Sequence, residues 1–134
     1  MSVELATLLR YKNERVVSHF CHHHPEVSIQ EGQELFTDLL AWLWLSKQRT
    51  GLGKKTYLFG PLLRLDELWH TFILHTQDYL SFSMTYFGEY MHHEVERIGF
   101  EHVLEEEELT DFLQDCFNYL DSSWVERRFA EAFA

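Results

Sequence analysis

The chain has 134 residues, 46% of them hydrophobic and 16% aromatic, which is enough to bury a core and too apolar for disorder despite a formal net charge of −11. An excess of carboxylates repels phosphate backbones and anionic lipid surfaces, so no nucleic acid and no membrane is expected as a partner. With 2 prolines and 6 glycines the chain has too few turn formers for a sandwich or barrel of short strands, and helices are expected instead.

Leu5, Leu8, Leu9, Val16, Val17 and Phe20 recur at helical spacing and predict a first helix over about 3–20. No basic stretch followed by an apolar one opens the chain, and no run approaches the roughly 20 apolar residues of a membrane span. A cytoplasmic location is therefore expected, with export by a route that reads no such signal left open. The segment 21–25 breaks the first helix, because the residue before Pro25 is pushed out of helical dihedrals. His22, His23 and His24 fall in that break and read as a loop tract with no defined coordination shell.

Ser28 and Glu31 have capping-box spacing and predict a second helix over about 29–49, closed by Gly51. Its Leu35, Phe36, Leu39, Leu40, Trp42, Leu43 and Leu45 cover most of the circumference, so that half should be buried on more than one side. The stretch 50–61 reads as an ordered loop; its Gly51, Gly53 and Lys54 lack the spacing of a phosphate loop. A third helix over about 62–87 ends at Gly88 and is apolar nearly all round, which marks it as the centre. Leu109, Phe112, Leu113, Phe117 and Leu120 predict a fourth over about 104–120, and Ser123 with Glu126 caps a short last helix ending near Phe133. Cys21 and Cys116 lie far apart without metal-type spacing and read as two buried free thiols, with one long-range disulfide as the alternative. The expected fold is all-α: one domain over 1–134, a bundle of about five helices around the 62–87 helix.

Within that helix Asp66 and His70 stand one turn apart on one face. The pair could supply two metal ligands, or a carboxylate that orients an imidazole for proton transfer. The plainer reading is a satisfied polar pair within the bundle. If the chain after Gly88 folds back, His92 or His93 could join them, and the set His70, Asp66, His93 would suit zinc or iron. His92 otherwise reads as a contact to helix-terminal carbonyls. Glu105, Glu106, Glu107 and Glu108 exceed what a helix start needs, so they form a candidate patch for a basic protein. Tyr11, Tyr57, Phe59, Tyr86 and Tyr90 are candidate interface anchors, to a partner or in a homodimer. No glycine-flanked serine, Cys–His frame or dinucleotide fingerprint is present.

Asp66, Trp69-His70, Ile73-Leu74, Tyr79, Phe87-Gly88 and His92-His93, with Trp42-Leu43-Trp44-Leu45 before them, resemble the glycine-rich-domain-containing-protein-like family of small helical proteins. The resemblance covers about half the chain. It implies a helical fold and draws attention to Asp66, His70 and His93 without implying a reaction.

Two functions are expected from these features. The first is a non-catalytic acidic helical module, without cofactor, that binds and regulates a partner protein as an inhibitor or adaptor. The alternative is a metal-binding protein or metal-dependent enzyme using the Asp/His cluster.

Overall fold

The structure is a computed structural model that describes residues 3–94, 99 and 102–133. Its longest helix, α3 (Ile29–Gly51), starts where the sequence predicts: the Ser28 hydroxyl accepts the Glu31 N–H at 3.1 Å while the Glu31 carboxylate reaches back to the Ser28 N–H. Leu35, Phe36, Leu39, Leu40, Trp42, Leu43 and Leu45 are all buried. At about 1.5–3 kcal/mol per buried large apolar side chain, this helix makes the largest hydrophobic contribution of any single element described.

Before it come α1 (Leu5–Leu8) and α2 (Glu14–His23). The single helix expected over 3–20 is thus two. The break follows from Asn13, whose side-chain oxygen accepts the Val16 N–H at 3.1 Å and starts α2 afresh. Its amide group donates to the Tyr11 hydroxyl and to Asp78, while the Tyr11 ring inserts among Phe36, Phe72, Phe82 and Tyr86. Tertiary contacts override the local period here. α2 then runs through His22 and His23, which are helical and not part of a loop as expected. It lies so close to α3 that a Cβ on Gly32 would come 2.7 Å from Cys21 Sγ.

After α3 the chain passes through a 3₁₀ turn (Gly60–Leu62) into α4 (Leu63–Leu74) and α5 (Thr76–Phe87). The third predicted helix is therefore divided at His75, whose ψ of 69° is not helical. The His75 N–H closes α4 on the Phe72 carbonyl and the His75 carbonyl opens α5 by accepting the Tyr79 N–H. Leu74 and Leu80, counted in the apolar circumference of one central helix, are 71% and 50% exposed. The centre of the bundle is α3, which packs against α1, α2, α4 and α6.

α6 (Glu106–Leu120) and α7 (Ser122–Phe133) complete the fold, and among the described residues there is no strand. The cap of α7 is Asp121, whose carboxylate accepts the Trp124 N–H at 3.0 Å, and not the Ser123–Glu126 box expected. Asp38 on α3, 1% exposed, holds α7 through Arg127 and Arg128. Arg49, 2% exposed, holds α6 through Asp111 and Asp115 and lies over the Phe112 ring. Cys21 and Cys116 are buried and unbonded to one another, and burial pushes the Cys116 thiol up to about 12. No helix among the described residues is long and apolar enough to cross a membrane.

Candidate metal centre

Asp66 lies in the first turn of α4 and His70 one turn later, so both leave the same face. What brings a third group to that face is the turn after α5. Gly88 takes a left-handed φ of 72° and donates its N–H to Met84, which ends the helix and turns the chain. Inside α5, the Tyr79 hydroxyl accepts the Trp69 Nε1–H at 2.9 Å and donates to the Met91 carbonyl. Burial pushes the Tyr79 phenol up to about 12, so it keeps its proton and remains a donor. Met91 is thereby pinned over α4, and two residues on His93 arrives beside Asp66.

His93 Nε2 stands 2.5 Å from Asp66 Oδ1, and His70 Nδ1 lies 3.8 Å from Asp66 Oδ2. The two imidazoles stack at 4.4 Å, with Trp69 against His93 at 4.2 Å. One ligand atom from each of Asp66, His70 and His93 lies within 4.8 Å of the other two. His93 is 15% exposed and its Nδ1 is buried without a hydrogen-bond partner; His70, at 55%, is open to water. An imidazole–imidazole–carboxylate set of this kind fits zinc or iron, and three protein ligands leave a position for water or another molecule. Tyr79 is not a fourth ligand, because both sides of its hydroxyl are engaged in positioning the segment. His92 is exposed, its ring against Tyr90, and stays outside the cluster.

The other candidate residues lie elsewhere. Glu105, Glu106 and Glu107 are exposed at the start of α6. Glu108 differs: it accepts from the Glu105 N–H, from the Tyr57 hydroxyl at 2.9 Å and pairs with His102. The Glu105 N–H is the first of the contacts that hold its carboxyl below the usual range. Of the aromatic candidates, Tyr57 packs edge-on against Phe112, Phe59 against Phe112 and Phe129, and Tyr86 against Tyr11 and Phe82. All three are half-buried on the core, whereas Tyr90 is 36% exposed with its edge on Tyr79. A cleft of about 410 Å³ beside Tyr57 is lined mostly by charges already paired with one another, Arg49 and Lys54 with Asp111, and His102 with Glu108; Lys55 and Glu107 line it as well.

Residues 5–119 match the model of the UCP032817-like family. The chain belongs to that family. The match runs from α1 almost to the end of α6 and contains Asp66, His70 and His93; it brings no activity with it. No curated protein and no solved structure matches the chain.

Sequence reasoning missed the placing role of Tyr79 and a second meeting of histidines. His19 on α2 and His75 at the α4–α5 corner face each other with 2.9 Å between Nδ1 and Nε2. Nothing in the sequence connects these two positions. The four-residue spacing of His19 and His23 on one helix was the available signal.

Proposed function

We propose that this protein binds a divalent transition-metal ion, zinc or iron(II), through Asp66, His70 and His93. The observation that carries this reading is the convergence of their three ligand atoms within 4.8 Å, from two segments that Tyr79 and Gly88 hold together. The orphaned Nδ1 of His93 adds support, since a buried ring nitrogen without a partner is uncommon where a side chain serves only the fold. A bound ion with three protein ligands keeps a position open, the arrangement used where an ion polarises a substrate or activates water. The protein's part is to hold the ligands, with Trp69 walling one side of His93 against solvent.

Calorimetric titration of zinc, and of iron(II) under anaerobic conditions, into untagged protein tests the reading. We expect saturable binding that Asp66→Asn and His93→Ala each weaken by about 100-fold or more. Unchanged affinity in both variants contradicts it.

Regulation of a basic protein partner through the acidic turn is a second reading. It is favoured by Glu105, Glu106 and Glu107, which stand exposed and make no ion pair among the described residues. Its test is a charge reversal of those three to lysine, with capture of partners from native lysate before and after. Recovery of the same set by both forms counts against it.

A further inference from the structure

We infer that His19, His75 and His23 form a second metal site, one built of imidazoles alone and suited to copper(II) or zinc. Its core is the pair His19 and His75. Their facing nitrogens are 2.9 Å apart, which is the contact of one ring N–H with the other ring's lone pair. With metal–nitrogen bonds of about 2.0–2.1 Å, two imidazoles on neighbouring coordination positions have their nitrogens about 2.9–3.4 Å apart. An ion can therefore replace the shared proton with shifts of a few tenths of an ångström. Each neutral ring carries its proton on the far nitrogen in that state, so both facing nitrogens offer lone pairs and no net proton is lost.

His23 supplies the third imidazole. It follows His19 by one helical turn on the same face of α2, and its ring meets His19 at 5.1 Å between centroids, inclined at 61°. His23 is exposed, so a rotamer change swings it towards the pair without disturbing the core. His75 cannot drift, because its backbone N–H and C=O are both engaged at the corner, to Phe72 and Tyr79. Among the described residues neither the His19 ring nor the His75 ring is hydrogen-bonded to a carboxylate or to a backbone carbonyl, the usual partners of a histidine ring that serves only the fold. His24 is the contrast within the same tract. Its ring stacks on Phe20 at 4.0 Å, its Nδ1 donates to the Phe20 carbonyl and its Nε2 faces Glu67, so it has no nitrogen to give.

The site is separate from the Asp66 cluster. It lacks a carboxylate, which favours borderline ions that prefer nitrogen over oxygen-seeking ones. An ion there would cross-link α2 to the α4–α5 corner.

The test uses the full untagged chain with His70→Ala and His93→Ala already in place, so that loss of the first site does not obscure the second. Copper(II) and zinc are titrated into this background, and the copper-loaded form is examined by electron paramagnetic resonance. We expect one tight equivalent, with hyperfine structure from two or three nitrogens. Adding His19→Gln and His75→Gln, which keep hydrogen-bonding side chains at both positions, should weaken binding by about 100-fold or more, and His23→Ala by about tenfold. His22→Ala should leave it unchanged. Circular dichroism checks that each variant is folded. A background protein that takes up no ion overturns the inference, as does a His19→Gln, His75→Gln form that binds as well as its parent.

Discussion

Asp38 and Asp66 are both carboxylates on helices of one small bundle, yet their surroundings differ in kind. Asp38 is 1% exposed and faces two guanidinium groups, Arg127 at 2.8 Å and Arg128 at 2.9 Å. Those guanidiniums grip the carboxylate from two sides, and although the buried Arg128 Nε makes no aligned hydrogen bond, a guanidinium has no lone pair to give an ion. Asp66 is a quarter exposed and faces two imidazoles, whose ring nitrogens can ligate an ion. One of them has a buried nitrogen with no partner. Fixed cations make a clasp, and imidazoles around a carboxylate leave room for an ion.

The same substitution at both aspartates breaks the comparison most directly. Asp38→Asn leaves two guanidiniums short of their counter-charge at the α3–α7 seam. It should cost about 3 kcal/mol in urea unfolding, at the low end for a buried pair because Arg127 retains access to water. Asp66→Asn should cost less than about 1 kcal/mol, as expected of a partly exposed site. Equal losses would place Asp66 among the structural residues.

Tyr79→Phe sharpens the same contrast from the second layer. It removes the link to Met91 and strands the buried Trp69 indole N–H, so a loss of about 1–3 kcal/mol is expected. It should also weaken metal binding by about 10–100-fold although Tyr79 is not a ligand, since His93 loses its anchor. Affinity unchanged in a folded Tyr79→Phe protein would mean that His93 is placed by something else. His70→Ala, at a site mostly in water, should change the unfolding free energy by less than about 0.5 kcal/mol while still weakening the ion's hold.

The smallest effect concerns a surface pair that belongs to neither cluster. Asp111 is held below its usual value of 3.8, first by its hydrogen bond from Lys54. A depressed carboxylate gives stabilisation that is whole above its unfolded pKa and is lost as pH falls through the folded one. Unfolding midpoints followed downward from pH 5 should therefore decline, and Lys54→Met should flatten part of that decline. A slope unaltered by Lys54→Met would assign it to other carboxylates, such as Glu108.

Much of this was legible in the sequence, and the residues say why. Ser28 and Glu31 announce α3 because a capping box is local, and the buried run from Leu35 to Leu45 follows from its spacing. Asp66 and His70 share a face by helical geometry alone. The division at His75 was not legible, because no glycine or proline marks it and the apolar pattern continues across the break. The same holds for the start of α2, where Asn13 is fixed by Asp78 across the bundle. Asp121 does not stand out as a cap because Ser123 and Glu126, two residues later, have the full capping-box spacing and Asp121 has Trp124 at that place. His19 and His75 meet only after α4 has been laid on α2. That depends on packing, which spacing does not report.

Elemental analysis of the protein purified without a histidine tag tests the central claim most directly. The account predicts that the native protein retains on gel filtration about one equivalent of zinc or iron more than the Asp66→Asn, His93→Ala double variant, in which only the His19–His75 site is left to hold an ion. Less than about a tenth of an equivalent of any transition metal, with no thermal shift on adding zinc or iron(II), would contradict it.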